Sequence, residues 1–223
     1  MSTMRTPLKI AICGVPGTGK TPLAKKLALK LSLPLIYQGT KELRATTDVG
    51  QMPPFWRMNE IQRLMYQLNL IQYRLDIESK YGEFVADGCA IDMVAWYRLS
   101  SWLVPADQKQ ATMAGLQKMA SNYDYIFYLP FYGIPNKAED GCEDHVVDPF
   151  NLLTADFIIK GTISYMMHAG SKNIYIIQTP QFVATTDPSV DNVELAVDKR
   201  VDEVLQVVLA KGTETPTPAD QIM

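Results

Sequence analysis

Residues 8–21 read Leu-Lys-Ile-Ala-Ile-Cys-Gly-Val-Pro-Gly-Thr-Gly-Lys-Thr, and their reading decides the fold. Leu8 to Cys13 is a short apolar run that predicts a buried strand. From Gly14 the chain matches Gly-x-x-x-x-Gly-Lys-[Ser/Thr] in full. From Gly19 to Leu31, the residues Leu23, Leu27 and Leu31 recur at helical spacing with Lys25, Lys26 and Lys30 between them. Strand, glycine loop and helix in that order is the context in which such a loop holds phosphate. By average composition, a chance match in a chain of this length is on the order of 1%. A polyphosphate needs many donors within a few ångströms, and backbone N–H groups come that close only where side chains are small. The helix N-terminus adds partial positive charge. Gly14, Pro16, Gly17, Thr18, Gly19, Lys20 and Thr21 are therefore the expected nucleotide cradle. Lys20 is placed to reach the β- and γ-phosphates, and the Thr21 hydroxyl to ligate Mg²⁺.

Outward from this motif, strand-like and helix-like segments alternate, which predicts a parallel sheet covered by helices. The expected strands are 8–13, 33–37, 83–87, 125–129 and 173–178. The expected helices are 19–31, 55–80, 91–103, 106–121, 150–169 and 190–210. In helix 55–80, Ile61, Leu64, Met65, Leu68, Ile71 and Leu75 form one stripe, and Arg63, Gln67 and Arg74 fall outside it. The fold class is thus α/β, a three-layer sandwich around a five-stranded, mainly parallel sheet. One domain spans 1–210, with a lid-like acidic segment at 130–149, and 211–223 form a flexible tail.

Composition agrees with a soluble domain of this kind. Of 223 residues 47% are apolar and 20% charged, and the formal charge is −3. That excludes a disordered chain, a coiled coil and a protein that grips nucleic acid over its whole surface. Cys13, Cys89 and Cys142 are odd in number and widely spaced, against a disulfide framework or a four-cysteine zinc site. Reduced thiols and the lack of a signal-like or membrane-spanning run imply a cytoplasmic protein, one encoded by a phage and acting in its host's cytoplasm included.

The motif Gly14–Thr21 after Leu8–Cys13 resembles the P-loop NTPases. No strand ends in the Asp-Glu pair of the AAA+ motors. Asn136-Lys137-Ala138-Glu139 departs from the guanine-reading Asn-Lys-x-Asp of GTPases in its last residue. Phe84-Val85-Ala86-Asp87-Gly88-Cys89-Ala90-Ile91-Asp92 instead looks like the strand-3 acid and following turn of the nicotinamide riboside kinase-like group, to which phage 5-hydroxymethyluracil DNA kinases are related. That resemblance implies that Asp87 activates the acceptor hydroxyl or holds a Mg²⁺-bound water, and that Asp92 orients the acceptor. Helix capping is the alternative for both. The group's arginine after the acid is Gly88 here, and the lid has no arginine. The charge on the phosphates must then be met from Lys137 or from Arg44, Arg57, Arg63 or Arg74. Tyr37 and Gln38, just past strand 2, are candidates for the acceptor pocket, and Arg57 beside Phe55 and Trp56 is a candidate for gripping a phosphate. Thr179 and Pro180, after strand 5, lie where this fold class commonly packs the purine.

The reading is an ATP- and Mg²⁺-dependent kinase acting on a hydroxyl of a nucleoside-like or nucleotide-like acceptor. Two alternatives stand beside it: a kinase of 5-hydroxymethyluracil in phage DNA, and a non-catalytic nucleotide-binding switch. A homodimer is compatible with each.

Overall fold

The computed structural model describes residues 7–46, 52–53, 57–132, 149–180 and 192–213. Strand β1 (Lys9–Cys13) runs into helix α1 (Lys20–Leu31). Then come β2 (Leu35–Ile36), α2 (Thr40–Thr46), α3 (Glu60–Glu78), β3 (Phe84–Asp87), α4 (Ala90–Ser100), α5 (Ala106–Ala120), β4 (Tyr125–Tyr128), α6 (Pro149–His168), β5 (Ile174–Ile176) and α7 (Asn192–Thr213). The sheet order is β2-β3-β1-β4-β5, and every pairing is parallel.

Alternation along the strands builds two cores. Ile10, Ile12, Val85 and Phe127 pack with Leu23 and Leu27 of α1 and with Val197, Val201 and Val204 of α7. Ala11, Cys13, Ala86, Ile126 and Tyr128 pack with α4 and α6 on the other face. Both faces of the sheet are thus dry, as a parallel sheet requires. Leu23 and Leu27 are fully buried, and truncating either to Ala costs about 2–5 kcal/mol. The chain's loops at the carboxyl ends of β1, β3 and β4 meet at the edge where such sheets bind ligands.

Several expectations need correction. Helix α2 forms inside the polar segment 38–54, where no element was expected. Strands β2 and β5 are shorter than expected. Helix α7 runs from Asn192 to Thr213 where 190–210 was expected, and 214–223 lie outside the described residues. Helix α3 begins at Glu60 and not at Phe55. Asn59 and Gln62 make a reciprocal capping box, with Gln62 N–H donating to Asn59 Oδ1 at 2.9 Å and Asn59 N–H to Gln62 Oε1 at 3.0 Å. Helix α3 also turns a different face inward from the one its apolar stripe suggests. Tyr66, Gln67, Leu70, Ile71 and Arg74 are buried, whereas Ile61, Met65, Leu68 and Leu75 are exposed. The cause is the surface it meets. Tyr66 and Leu70 pack on Leu43 of α2 and on Met58, while Arg74 meets backbone carbonyls at the ends of β2 and β3.

No described helix is long and apolar enough to cross a membrane.

Candidate active site

The glycine loop wraps between β1 and α1. Gly14 has φ +150°, and a Cβ there would meet Leu129 O at 2.8 Å and Thr18 Oγ1 at 2.9 Å. Gly19 has φ +88°, and a Cβ there would meet Arg200 Nη1 at 2.9 Å. At Gly14 a side chain is excluded twice, by conformation and by the Leu129 carbonyl, whereas at Gly19 it is disfavoured by conformation and would displace the Arg200 guanidinium. Inside the loop the Thr18 hydroxyl donates to Val15 O at 2.9 Å, and Lys20 Nζ donates to the same carbonyl at 3.0 Å. Lys20 and Thr18 are nearly fully buried, so the lysine is held over the loop rather than extended into solvent.

Asp87 ends β3 directly beside the first turn of α1. The Thr21 hydroxyl donates to Asp87 Oδ2 at 2.6 Å. Asp87 is 5% exposed, and its other oxygen, Oδ1, is buried with no hydrogen-bond partner among the described residues. A buried carboxylate oxygen left unpaired is expensive. The structure therefore joins Thr21 and Asp87, which the sequence reading named separately.

Asp92 has a different place from the acceptor-orienting one expected of it. It is 1% exposed, on the first turn of α4. Its Oδ1 accepts from Gly14 N–H at 2.8 Å and from the Cys13 thiol at 3.2 Å, and its Oδ2 accepts from Cys89 N–H at 2.8 Å. It pins the start of the glycine loop to the start of α4. Burial pushes its carboxyl above the ordinary range, against the pull of Lys20 and of its three hydrogen bonds. Cys13 and Cys89 are buried free thiols in the same cluster, and burial pushes the Cys13 thiol up.

Arg74, one of the arginines considered for the phosphates, is fully buried and spent on the scaffold. Its Nη1 donates to the carbonyls of Tyr37 (2.8 Å) and Asp87 (3.1 Å), its Nη2 to that of Gly88 (2.8 Å), and its Nε to Glu78 Oε1 (2.9 Å). Burial pulls its pKa down, but the charges of Tyr123 and Glu78 outweigh that and hold it above its usual value. Glu78 in turn accepts from the Tyr123 hydroxyl. Arg74 thus ties the carboxyl ends of β2 and β3 and fixes the backbone that carries Asp87.

The remaining candidates scatter. The Tyr37 ring is half exposed and sits under Lys25 Nζ, 5.9 Å from its centroid, on the flank of α1. Gln38 is closer to the site: a Cβ on Gly88 would meet its Cγ at 3.4 Å and Asp92 Oδ2 at 3.5 Å. Gly88 has φ +82°, so the arginine that the resemblance would place there would have to take a left-handed backbone. Arg57 is exposed, two residues before the cap of α3. Arg44 lies on α2, but its side chain is outside the described residues, as is all of Lys137. Pro180 follows β5 at the carboxyl edge. Thr179 has its N–H and hydroxyl on Glu203 (3.1 and 2.7 Å) and its carbonyl on Arg200 Nε (3.1 Å), which leaves the face of the turn rather than its polar groups for a ligand.

Three residues that sequence reasoning assigned no part in the site belong near it. Arg200 and Glu203 reach in from α7. Gln67 is 4% exposed with Oε1 unpaired among the described residues. It lies two turns before Arg74 on the same face of α3, about 10 Å further along the axis. Arg74 meets the carboxyl end of β3, and Glu78, one turn later, meets Tyr123, which packs on Phe84 at the start of β3, so α3 runs antiparallel to β3 and Gln67 lies on the carboxyl-edge side of Arg74. The i,i+4 spacing of Arg74 and Glu78 was a readable signal for the clamp. Gln67 and Arg200 carried none.

No family model matches the chain, and no curated protein matches it. Solved structures do. A deoxyadenosine kinase from M. mycoides with bound dCTP is 13% identical with a TM-score of 0.59, over 91% of this chain and 100% of that one. The NadR protein in complex with NR is 15% identical, also at 0.59, over 89% of this chain. This chain spans about half the length of that protein, 51%. Shikimate kinase from Acinetobacter baumannii in complex with shikimate is 13% identical at 0.51, over 94% of this chain and 97% of that one. At such identities the likeness is one of architecture: the chain has the fold of the P-loop kinases.

Proposed function

We propose that this chain is an ATP- and Mg²⁺-dependent kinase that transfers the γ-phosphoryl group to a hydroxyl of a nucleoside-like or nucleotide-like acceptor. The observation that carries the reading is the Thr21–Asp87 pair, 2.6 Å apart at the head of the glycine loop, with Asp87 Oδ1 buried and unpaired. The acceptor class draws support from the structural neighbours, of which one is a deoxyadenosine kinase and another was crystallised with NR.

The loop amides and Lys20 bind the β- and γ-phosphates, and Lys20 exchanges its bond to Val15 O for phosphate oxygens. The face of the turn at Thr179–Pro180 receives the purine. The Thr21 hydroxyl, a hard oxygen donor held in place by Asp87 Oδ2, fits Mg²⁺, which leaves Asp87 Oδ1, buried and unpaired among the described residues, for the acceptor's proton. When bound, the ion neutralises charge on the β- and γ-oxygens. Asp87 accepts the proton of the acceptor hydroxyl. The new O–P bond forms at the γ-phosphorus, the bond to the β,γ-bridging oxygen breaks, and ADP leaves. Gln67, with its carbonyl oxygen unpaired among the described residues on the carboxyl-edge side of Arg74, hydrogen-bonds an N–H of the acceptor.

The test is transfer of radiolabelled γ-phosphate from ATP across nucleosides, nucleotides and hydroxymethylated DNA. The expected result is a phosphorylated small-molecule product that disappears in Lys20→Ala. ATP binding with no phosphoryl product on any acceptor would overturn the assignment.

A further inference from the structure

Arg200 is 1% exposed on α7 and joins two loops that are far apart in the chain. Its Nη1 donates to Thr18 O in the glycine loop at 2.7 Å, and its Nε donates to Thr179 O after β5 at 3.1 Å. Its Nη2 is buried with no partner among the described residues. One turn later on α7, Glu203 takes the N–H of Gln178 (2.7 Å) and both the N–H and the hydroxyl of Thr179. Gly19 completes the arrangement, because only its missing Cβ lets the guanidinium approach the loop. Lower on the same helices, Lys26 pairs with Glu194 and Asp198, and Lys30 with Asp202, so α1 and α7 are lashed along their length.

A guanidinium in this place loses hydration on burial and leaves one nitrogen unsatisfied, so as a packing element it is a poor choice. It has a geometric merit that an apolar side chain lacks. It is a rigid fork that fixes two carbonyls at once, one in the phosphate cradle and one in the turn expected to face the purine. Resting on the kinase reading, we infer that Arg200, with Glu203, is a positioning device that couples purine binding to the phosphate loop. A base seated on the Thr179–Pro180 turn steadies the Arg200 fork, the fork steadies Thr18 O, and the loop amides are held in the geometry that grips phosphate. Pre-organisation of this kind raises affinity without a direct contact between Arg200 and the nucleotide.

The experiment is calorimetric titration of the full chain with ATP and, separately, with inorganic tripolyphosphate, both with Mg²⁺. The ratio of the tripolyphosphate dissociation constant to that of ATP measures what the adenosine contributes. Coupling predicts that Arg200→Ala lowers this ratio by about tenfold or more, because ATP loses both the loop's order and the base's help in restoring it. Arg200→Lys reaches one carbonyl but not both, so it is expected to retain thermal stability and still lose the ratio. Glu203→Gln, which touches only the turn, is expected to weaken ATP more than tripolyphosphate. Parallel losses for both ligands in all three variants, with the ratio unchanged, would reduce Arg200 to a structural peg and overturn the inference. So would a native chain that binds ATP no more tightly than tripolyphosphate. These are binding measurements. A native chain that binds ATP with the expected ratio yet transfers nothing would sink the kinase reading and leave the coupling standing.

Discussion

The Thr21 hydroxyl donates to Asp87 Oδ2 across 2.6 Å, joining residues 66 apart in sequence at the carboxyl edge of β1 and β3. The pair puts a carboxylate beside the first turn of the helix that follows the glycine loop, with one oxygen on Thr21 and the other unpaired among the described residues. Asp87→Asn keeps the size and one acceptor oxygen but removes the base. It is expected to bind ATP within a few-fold of the native chain and to lose about 10²- to 10⁴-fold in turnover. Single-turnover transfer with saturating ATP checks this, and near-native turnover would remove Asp87 from the chemistry.

Asp92 predicts a pH dependence. Burial raises its native pKa above that of an ordinary aspartate. Between its unfolded and its native value the folded chain therefore binds more protons than the unfolded one. Stability from this group is fully present below the unfolded value and falls as pH rises through the window. Asp92→Asn lacks that slope and leaves an N–H of Gly14 or Cys89 without an acceptor, at a cost of about 1–3 kcal/mol. The melting temperature of the native chain minus that of the variant should widen on acidification through that window. A gap that narrows on acidification would contradict the placement of this carboxylate.

Arg74 and Glu78 form a buried pair, 0% and 11% exposed at the side chain, with N···O 2.8 Å. Removing one partner of such a pair costs about 3–5 kcal/mol. For a chain of this size that is roughly 6–20 °C in melting temperature. Arg74→Ala is expected to show that loss and, because three strand-end carbonyls are freed beside Asp87, a drop in turnover larger than any change in ATP affinity. A variant that melts within about 2 °C of the native chain would show that the clamp is unimportant.

The loop Gly14–Thr21 was legible because its chemistry is local: a glycine loop needs only its own residues and the strand and helix on either side. The sheet was legible for the same reason, since each strand carries its own apolar run. Helix α3 was not. Of its six-residue apolar stripe, Leu64 and Ile71 pack inward but Ile61, Met65, Leu68 and Leu75 are exposed, because the partner surface includes three backbone carbonyls and the pocket of Leu43 and Met58, which select Arg74, Tyr66 and Leu70. Which face a helix buries is decided by what it packs on, and α3 packs on α4 together with residues 37, 43, 58, 87 and 88. Arg200 was hidden by the same logic, 182 residues away from the carbonyl it holds.

Gln67 gives the sharpest separation of stability from function. Its Oε1 is buried and unpaired among the described residues, so in the ligand-free chain it is a liability of about 1–3 kcal/mol. Leucine has nearly the same volume and no polar group to strand. Gln67→Leu should therefore leave the melting temperature unchanged or raise it by a few degrees, the pattern expected where a binding site is kept at the expense of stability. On the proposed kinase reading the same change removes a hydrogen-bonding partner of the acceptor, and the KM for the acceptor should rise about tenfold or more while the KM for ATP stays put. A lower melting temperature with unaltered acceptor KM would mean that the amide already has a partner inside the protein, and Gln67 would then belong to the core and not to the acceptor site.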